Sequence, residues 1–360
     1  MMPKQRILAA IRGQAVDKIP WCPFLAYYWE SLPASVTAQG QIPFLEGVGA
    51  DPLLRGSHCL SRIAYGKTEI EDQTKGGERR VVYHAPAGDL VLRYTYAANG
   101  DTWFLTEHPV KRREDYAILA SLFEDMTVQP DLEAFERDKA AAGDRALYVP
   151  VIGFQAKTAF QAMVEHWVGT VQLTYDLMDY PETVAACLEV LQAVDRKTLD
   201  AALESSAEAF ISWEDTSTTN ISPRLFAQYI APQLNEWSDR IHGQGRLFIH
   251  HACGHVRDLL PLIAQTHIDA LESLSPPPTG NATLAQARAA LPDRIALIGG
   301  IEPTELLQLP LNAFPAYVEG ILGEMEGSRY VLANSDSCPP GVDYAKWELI
   351  TQLRDAHCAR

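Results

Sequence analysis

His251 and Cys253 stand two residues apart in His250-His251-Ala252-Cys253-Gly254, directly after the apolar run Arg246–Ile249. In extended backbone the side chains of a His-x-Cys leave the same face, so one metal ion can meet both. Imidazole with thiolate suits zinc, which takes four N and S ligands in structural sites and keeps one position open when catalytic. The plain alternative is a pair of satisfied buried polar residues. A third ligand has to come from elsewhere, and Cys338 in Asn334-Ser335-Asp336-Ser337-Cys338-Pro339-Pro340-Gly341 follows the apolar run Tyr330–Ala333. As a small residue ahead of two prolines, Cys338 could equally be a turn residue.

Carboxylates recur at similar places. Trp213-Glu214-Asp215-Thr216 ends another β-rich run, and Glu214 and Asp215 are candidates for a fourth ligand, a general acid/base or a partner of the histidine. Neighbours on a strand point oppositely, so the two have different roles. Glu272 in Ala270-Leu271-Glu272-Ser273 and Glu302 after Gly299-Gly300-Ile301 occupy comparable positions. Near the N-terminus, Ile19–Phe24 reads as a first strand leading into Ala26-Tyr27-Tyr28-Trp29. Tyr27, Tyr28, Trp29, Trp213 and Glu272 are the candidates for a substrate pocket, with core packing as the competing explanation for the aromatic rings. His242, His255 and His267 fall in or beside helices and read as surface or capping residues.

The elements that would position these residues alternate. Candidate strands at Ala209–Trp213, Arg246–His250, Ile268–Leu274, Ile295–Gly299 and Tyr330–Ala333 are separated by amphipathic segments. Ser222 followed by Pro223 reads as a helix N-cap with proline at the first position, and Gly243 and Gly245 close that segment, with Pro232 kinking or splitting it. Further helices are expected at Val256–Ala264, Leu284–Leu291, Pro315–Met325 and Tyr344–Ala356, and from Pro181 to about Ser205, where Cys187 lies on the apolar side. Such alternation implies a parallel α/β sheet. No G-x-G-x-x-G follows a strand, which removes the main support for an open dinucleotide-binding sheet. The expectation is a (β/α)8 TIM barrel, whose strand C-termini converge on one rim where active sites are built. From about Glu69 to Thr106, alternating Val, Leu and Tyr with glycines at 76, 77, 88 and 100 read as an antiparallel β-hairpin insertion. The whole of 1–360 is expected to be one barrel domain carrying it.

Composition narrows the function classes. With 30 basic against 46 acidic residues the net charge is −16, which argues against a nucleic-acid partner. The N-terminus has no signal-peptide pattern, and no apolar run approaches a membrane span. Six dispersed cysteines suit a reducing compartment, so a cytoplasmic location without a membrane partner is expected. Nothing in the sequence fixes the oligomeric state.

The succession WEDTSTTNISPRLFAQYIAPQL, HHACG, DALESLSPPPTGNATLAQARAAL, ALIGGIEPTELL and NSDSCPPG resembles the uroporphyrinogen decarboxylase superfamily, and within it the corrinoid-linked methyltransferases. The resemblance runs from about Leu147 to the C-terminus, and is looser at EHPVKRREDYAIL. It implies the same barrel, and a catalytic Zn2+ on His251, Cys253 and Cys338. It also implies a corrinoid (cobalamin) supplied by a partner protein, since the chain has no D-x-H-x-x-G signature of its own. The activity implied is methyl transfer between a small methylated substrate or thiol and that corrinoid protein. The decarboxylases instead clamp a polyanionic porphyrinogen with an Arg-rich segment, whereas WCPFLAYYWESLP here has no Arg or Lys. A metal-free decarboxylase or lyase would need positive charge at the strand ends, for which Arg55, Arg224 and Arg257 are the nearest sources. A non-catalytic zinc- or corrinoid-binding protein is the third reading.

Overall fold

The computed structural model describes residues 1–98 and 102–359 and divides into two compact units. The first comprises Met1–His58, Glu133–Val151 and Ser206–Arg360. Its sheet has seven strands in the spatial order Leu53–Cys59, Leu147–Val151, Ala209–Glu214, Leu247–Ala252, Ala270–Leu274, Ala296–Ile301 and Tyr330–Asn334. The pairings from Leu147–Val151 through Tyr330–Asn334 are parallel.

Where Ile19–Phe24 leads the sequence to expect a strand, the chain makes a single parallel bridge, Trp21 to Leu332. Pro20 has no N–H to carry the pairing back along Tyr330–Asn334, Pro23 has none to return the bond from Asp51, and Phe24 N donates to the Asn334 side chain instead of a backbone carbonyl, so the pairing does not extend. The segment nevertheless closes the sheet. Cys22 N donates to Leu332 O (2.8 Å) and Leu332 N to Pro20 O (2.9 Å), while Asp51 N donates to Trp21 O (2.6 Å) ahead of the Leu53–Cys59 strand. The result is an α/β barrel of seven strands and one short stave. The five strands expected in the second half are all present, shifted by no more than two residues at most ends.

The barrel interior is filled by every second residue: Leu147 and Val149, Ala209 and Ile211, Leu247 and Ile249, Ala296 and Ile298, Val331 and Ala333. Cys22, Leu53 and Ala270 join them, and Ile7, Leu8 and Ile11 of the Pro3–Arg12 helix pack against the same core. This period of two sets which residues come next toward the C-terminal rim.

Two helices depart from the expected single segments. Ser222 caps as anticipated, its hydroxyl accepting from Leu225 N (3.3 Å). Phe226–Ile230 then winds as a π-helix before Ala231–His242 begins with Pro232 in its first turn. A proline has no N–H for the usual bond one turn back, and the wider turn accommodates the loss. In place of one Val256–Ala264 helix there is a 3-10 turn, Arg257–Leu259, and a short Leu260–Ile263 helix.

The second unit comprises Cys59–Leu132 and Ile152–Ser205. Its main sheet is antiparallel: Glu69–Lys75, Glu78–Ala85, Gly88–Ala97 and Thr102–Glu107. Gly76 and Gly77, both at positive φ, make the two-residue turn that the sequence signals; Gly100 lies outside the described residues. The expected insertion is thus the sheet portion of a larger unit. That unit adds the Ser61–Tyr65 and Met126–Pro130 strand pair and the helices Asp115–Glu124, Thr170–Asp179 and Pro181–Leu203. No helix among the described residues is long and apolar enough to cross a membrane.

Candidate functional site

One step above the last core layer, the inward positions change character. Leu53 is followed by Arg55, Ile211 by Trp213, Ile249 by His251, Ala270 by Glu272 and Cys22 by Phe24. The register sets Trp213, His251 and Glu272 side by side across three neighbouring strands. A bulge follows at once, where pairing slips between Glu272 and Leu274 and Ser273 takes φ +72°. Irregularities of this kind re-aim side chains beside active sites. Ser273 is fixed there by its hydroxyl, which donates to Ser335 O.

His251 is held on its edge and on its face. Its Nδ1 bonds the Glu272 carboxylate. Trp213 lies against the ring, centroids 4.5 Å apart and planes 10° from parallel. Glu272 in turn accepts from Arg55 Nη1, and both side chains are 1% exposed. Arg55 Nη2 donates to Cys22 O, and its guanidinium sits 5.1 Å from the Phe24 ring centroid. Phe24 meets Trp213 edge to face at 5.2 Å. The five residues therefore close a ring: Arg55, Glu272, His251, Trp213, Phe24 and back to Arg55. Gly56 leaves room for it, since a Cβ there would approach the Trp213 ring to 3.2 Å.

The charges follow from this arrangement. Burial alone would make Glu272 harder to ionise, but His251 and Arg55 outweigh it and hold the carboxyl below its ordinary range. Burial likewise opposes charge on His251, yet Glu272, with Asp336 and Asp215 adding to it, raises its pKa. Because an ionised carboxylate only accepts, Nδ1 carries the proton and Nε2 is the nitrogen offered to a ligand. The neighbouring His250 points away from the barrel interior, where Ser212 Oγ lies 2.9 Å from its Nδ1 and burial lowers its pKa to about 3.

The other expected site residues are placed as follows. Cys253 is half-buried, with Sγ 3.1 Å from Asp215 Oδ1. Glu214 is fully buried and accepts from Thr216 Oγ1 at 3.3 Å, so the two adjacent carboxylates do have different surroundings. Cys338 is buried, its thiol pushed up by that burial, and its backbone N and C=O bond Phe24 O (3.2 Å) and Tyr28 N (2.9 Å). Tyr28 packs into the core against Trp347 and Phe44, and Tyr27 is 51% exposed. Trp29 lines a cavity of about 460 Å³ with Phe24, Leu53 and Arg55, and Glu30 and Ser57 stand at its wall.

Sequence reasoning missed Phe24 and Asp336, and weighed Arg55 only as a free positive charge. Asp336 stands in the quoted NSDSCPPG stretch, and burial raises its carboxyl despite the His251 charge. Asn334 clamps Phe24 by accepting from its N and donating to its O, both at 2.8 Å.

The donor set of imidazole, thiols and carboxylates is one zinc accepts, and the Glu272 bond orients His251 as metal-bound histidines are oriented. On that chemistry the residues fit a zinc ion. Among the described residues, no group of three or more His, Cys, Asp or Glu is drawn together closely enough to hold one.

Comparison with known proteins decides the family. Residues 99–357 match the family model for uroporphyrinogen decarboxylase (URO-D). The chain belongs to the uroporphyrinogen decarboxylase family. Two curated relatives from Methanosarcina barkeri, both methylcobamide:CoM methyltransferases MtaA, are 23% identical. Each alignment covers 99% of this chain and 98% of the relative. A solved methyltransferase from Methanosarcina mazei shares the fold, with TM-score 0.64, 16% identity and 99% of each chain covered. The relatives that this URO-D family member matches end to end are thus methyltransferases, the branch that its motifs resemble.

Proposed function

We propose that this URO-D family member is a zinc-dependent methyltransferase that moves a methyl group between a small methylated compound or thiol and a corrinoid carried by a partner protein. The observation that carries the reading is His251, fixed at the barrel's C-terminal rim by Glu272 on its edge and Trp213 on its face. The relatives' names supply the reaction class: a methylated cobamide and the acceptor CoM are what those enzymes are named for. We read the chain as one functional domain over 1–360 and as a cytoplasmic protein.

His251, Cys253 and Cys338 would hold the zinc ion. A zinc ion there would supply Lewis acidity, of the kind that favours a thiol's thiolate or makes an ether oxygen a better leaving group. Glu272 keeps the proton on Nδ1 and so presents Nε2. Asp215, in contact with the Cys253 thiol, is positioned to take its proton; Glu214, buried beside Thr216, supports the same strand end. The cavity by Phe24, Trp29 and Arg55 offers the apolar part of a methyl compound a place next to the ring of five residues.

The metal-free decarboxylase reading needs cationic groups to receive carboxylates. Arg55 is paired with Glu272, Arg257 bonds Asn281 through its backbone and side chain, and Arg224 is exposed. That distribution favours the methyltransferase.

The deciding experiment is zinc content per chain, by elemental analysis of protein purified without chelator, beside His251→Ala, Cys253→Ser and Cys338→Ser. One zinc per chain, lost in each variant, supports the reading. A folded wild-type protein that takes up no zinc overturns it, and a metal-replete, active Cys338→Ser removes Cys338 from the ligand set.

A further inference from the structure

Arg55 is buried deeply enough that its charge needs a purpose. Its side chain is 1% exposed, and its guanidinium is committed to the Glu272 carboxylate and the Cys22 carbonyl, above the Phe24 ring. Its Nε is buried without a hydrogen-bond partner. A salt bridge of this depth contributes little net stability compared with apolar packing. What it does provide is direction. The Glu272 carboxylate has two oxygens; Arg55 engages Oε1 and His251 engages Oε2. With one oxygen fixed, the other can present itself to the imidazole in one orientation only.

The same guanidinium also acts on the imidazole's second support. Arg55 lies over Phe24, Phe24 abuts Trp213, and Trp213 stacks on His251. One side chain thus reaches both the edge and the face of His251 without touching it.

We propose that Arg55 is a positioning residue that tunes His251 as a metal ligand, chiefly through Glu272. This rests on the reading of His251 as a zinc ligand. Arg55 on Oε1 turns Oε2 toward His251 Nδ1, and with Nδ1 engaged there Nε2 is the nitrogen left to face the metal. Lysine, a point charge without the planar fork, would hold the carboxylate but not fix its orientation or stack on Phe24.

The test is zinc affinity by competition with a chromogenic chelator, on the full chain. Wild type is compared with Arg55→Met, Arg55→Lys, Glu272→Gln and the Arg55→Met/Glu272→Gln double variant. The visible spectrum of each Co2+-loaded protein and the unfolding midpoint of each metal-free protein are recorded alongside. We expect Arg55→Met to bind zinc about 10–100-fold more weakly, as loss of an outer-shell partner does. Its Co2+ bands should shift, and Arg55→Lys should recover part of both. The double variant should lose little more than Glu272→Gln alone, because the effect runs through that carboxylate.

Arg55→Met with wild-type zinc affinity and an unchanged Co2+ spectrum overturns the proposal while leaving the zinc site standing. So do additive losses in the double variant. A lowered unfolding midpoint with unchanged affinity also overturns it, since that is what a merely structural residue produces. Should Arg55→Met fail to fold, Arg55→Lys against Glu272→Gln decides the same point. A wild-type chain that binds neither Zn2+ nor Co2+ overturns the underlying metal reading along with it.

Discussion

Trp213 lies flat against the His251 imidazole, 4.5 Å from it and within 10° of parallel, because the parallel register puts the two residues directly opposite on adjacent strands. Both continue the inward-facing rows that begin with Ala209 and Leu247. The stack thus follows from the period of the strands, and it occupies the first layer above the apolar core.

Trp213→Ala should weaken metal binding even though Trp213 has no donor atom for the metal. An aromatic stack of this type contributes about 0.5–1.5 kcal/mol, so a loss of about 3–10-fold in zinc affinity is expected, with Trp213→Phe intermediate. Chelator competition measures it. Affinity unchanged in Trp213→Ala would mean that Glu272 alone orients the imidazole.

Breaking the buried pair from either side should cost more than removing it whole. Glu272→Ala leaves Arg55 as an uncompensated buried charge, and about 3–5 kcal/mol of stability should be lost. Arg55→Met/Glu272→Leu should be closer to wild type than Glu272→Ala. Urea unfolding of the metal-free proteins provides the comparison, and equal losses in the two would show that Arg55 reaches solvent when its partner is gone.

Thiol labelling should separate the six cysteines by position. In native metal-free protein Cys59 and Cys358 are exposed, Cys253 is half-buried, and Cys22, Cys187 and Cys338 are buried. Two thiols should react at once, Cys253 more slowly, and the remaining three only on unfolding. Added zinc should protect Cys253 and leave Cys59 and Cys358 unaffected, as read by mass spectrometry of the labelled peptides.

Gly280→Ala tests the loop after the Glu272 strand. A Cβ there would stand 1.8 Å from Ser275 O, a backbone atom, so the loop must move. Ser275 also donates to Ser335 Oγ at 3.0 Å and thereby joins this loop to the one that carries Cys338. The variant should be about 1–3 kcal/mol less stable and should hold zinc more weakly. Wild-type stability in urea would show that the loop relaxes without consequence.

Much of the second half was legible in the sequence. Its strands are short β-rich runs between amphipathic helices, and His251, Trp213 and Glu272 stand at their ends, where a barrel places its chemistry. What could not be read is which partners those residues choose. Glu272 reads as one carboxylate among several until the register sets it beside His251. Arg55, on the Leu53–Cys59 strand, and Phe24, just after the Trp21 bridge, belong to the ring only because distant segments close the barrel. Prolines at 20 and 23 hid the extent of the first stave from a reading based on apolar runs. In the second unit the hairpins and the Pro181–Leu203 helix were legible, but their membership of one unit was not, because its two segments, Cys59–Leu132 and Ile152–Ser205, are separated in the sequence by a strand of the barrel.

The short stave at Trp21 has a consequence for how the protein is made. Its partners are Asp51, which follows it closely in the sequence, and Leu332, which lies far downstream. During synthesis from the N-terminus, Trp21 emerges with one of its two neighbours still unbuilt. The growing sheet keeps an open edge until Tyr330–Asn334 leaves the ribosome, and unpaired edges of this kind recruit other strands. Closure is therefore a late event that joins an early-made segment of the barrel to a late-made one, and the nascent chain rather than the finished barrel is the form most exposed to aggregation.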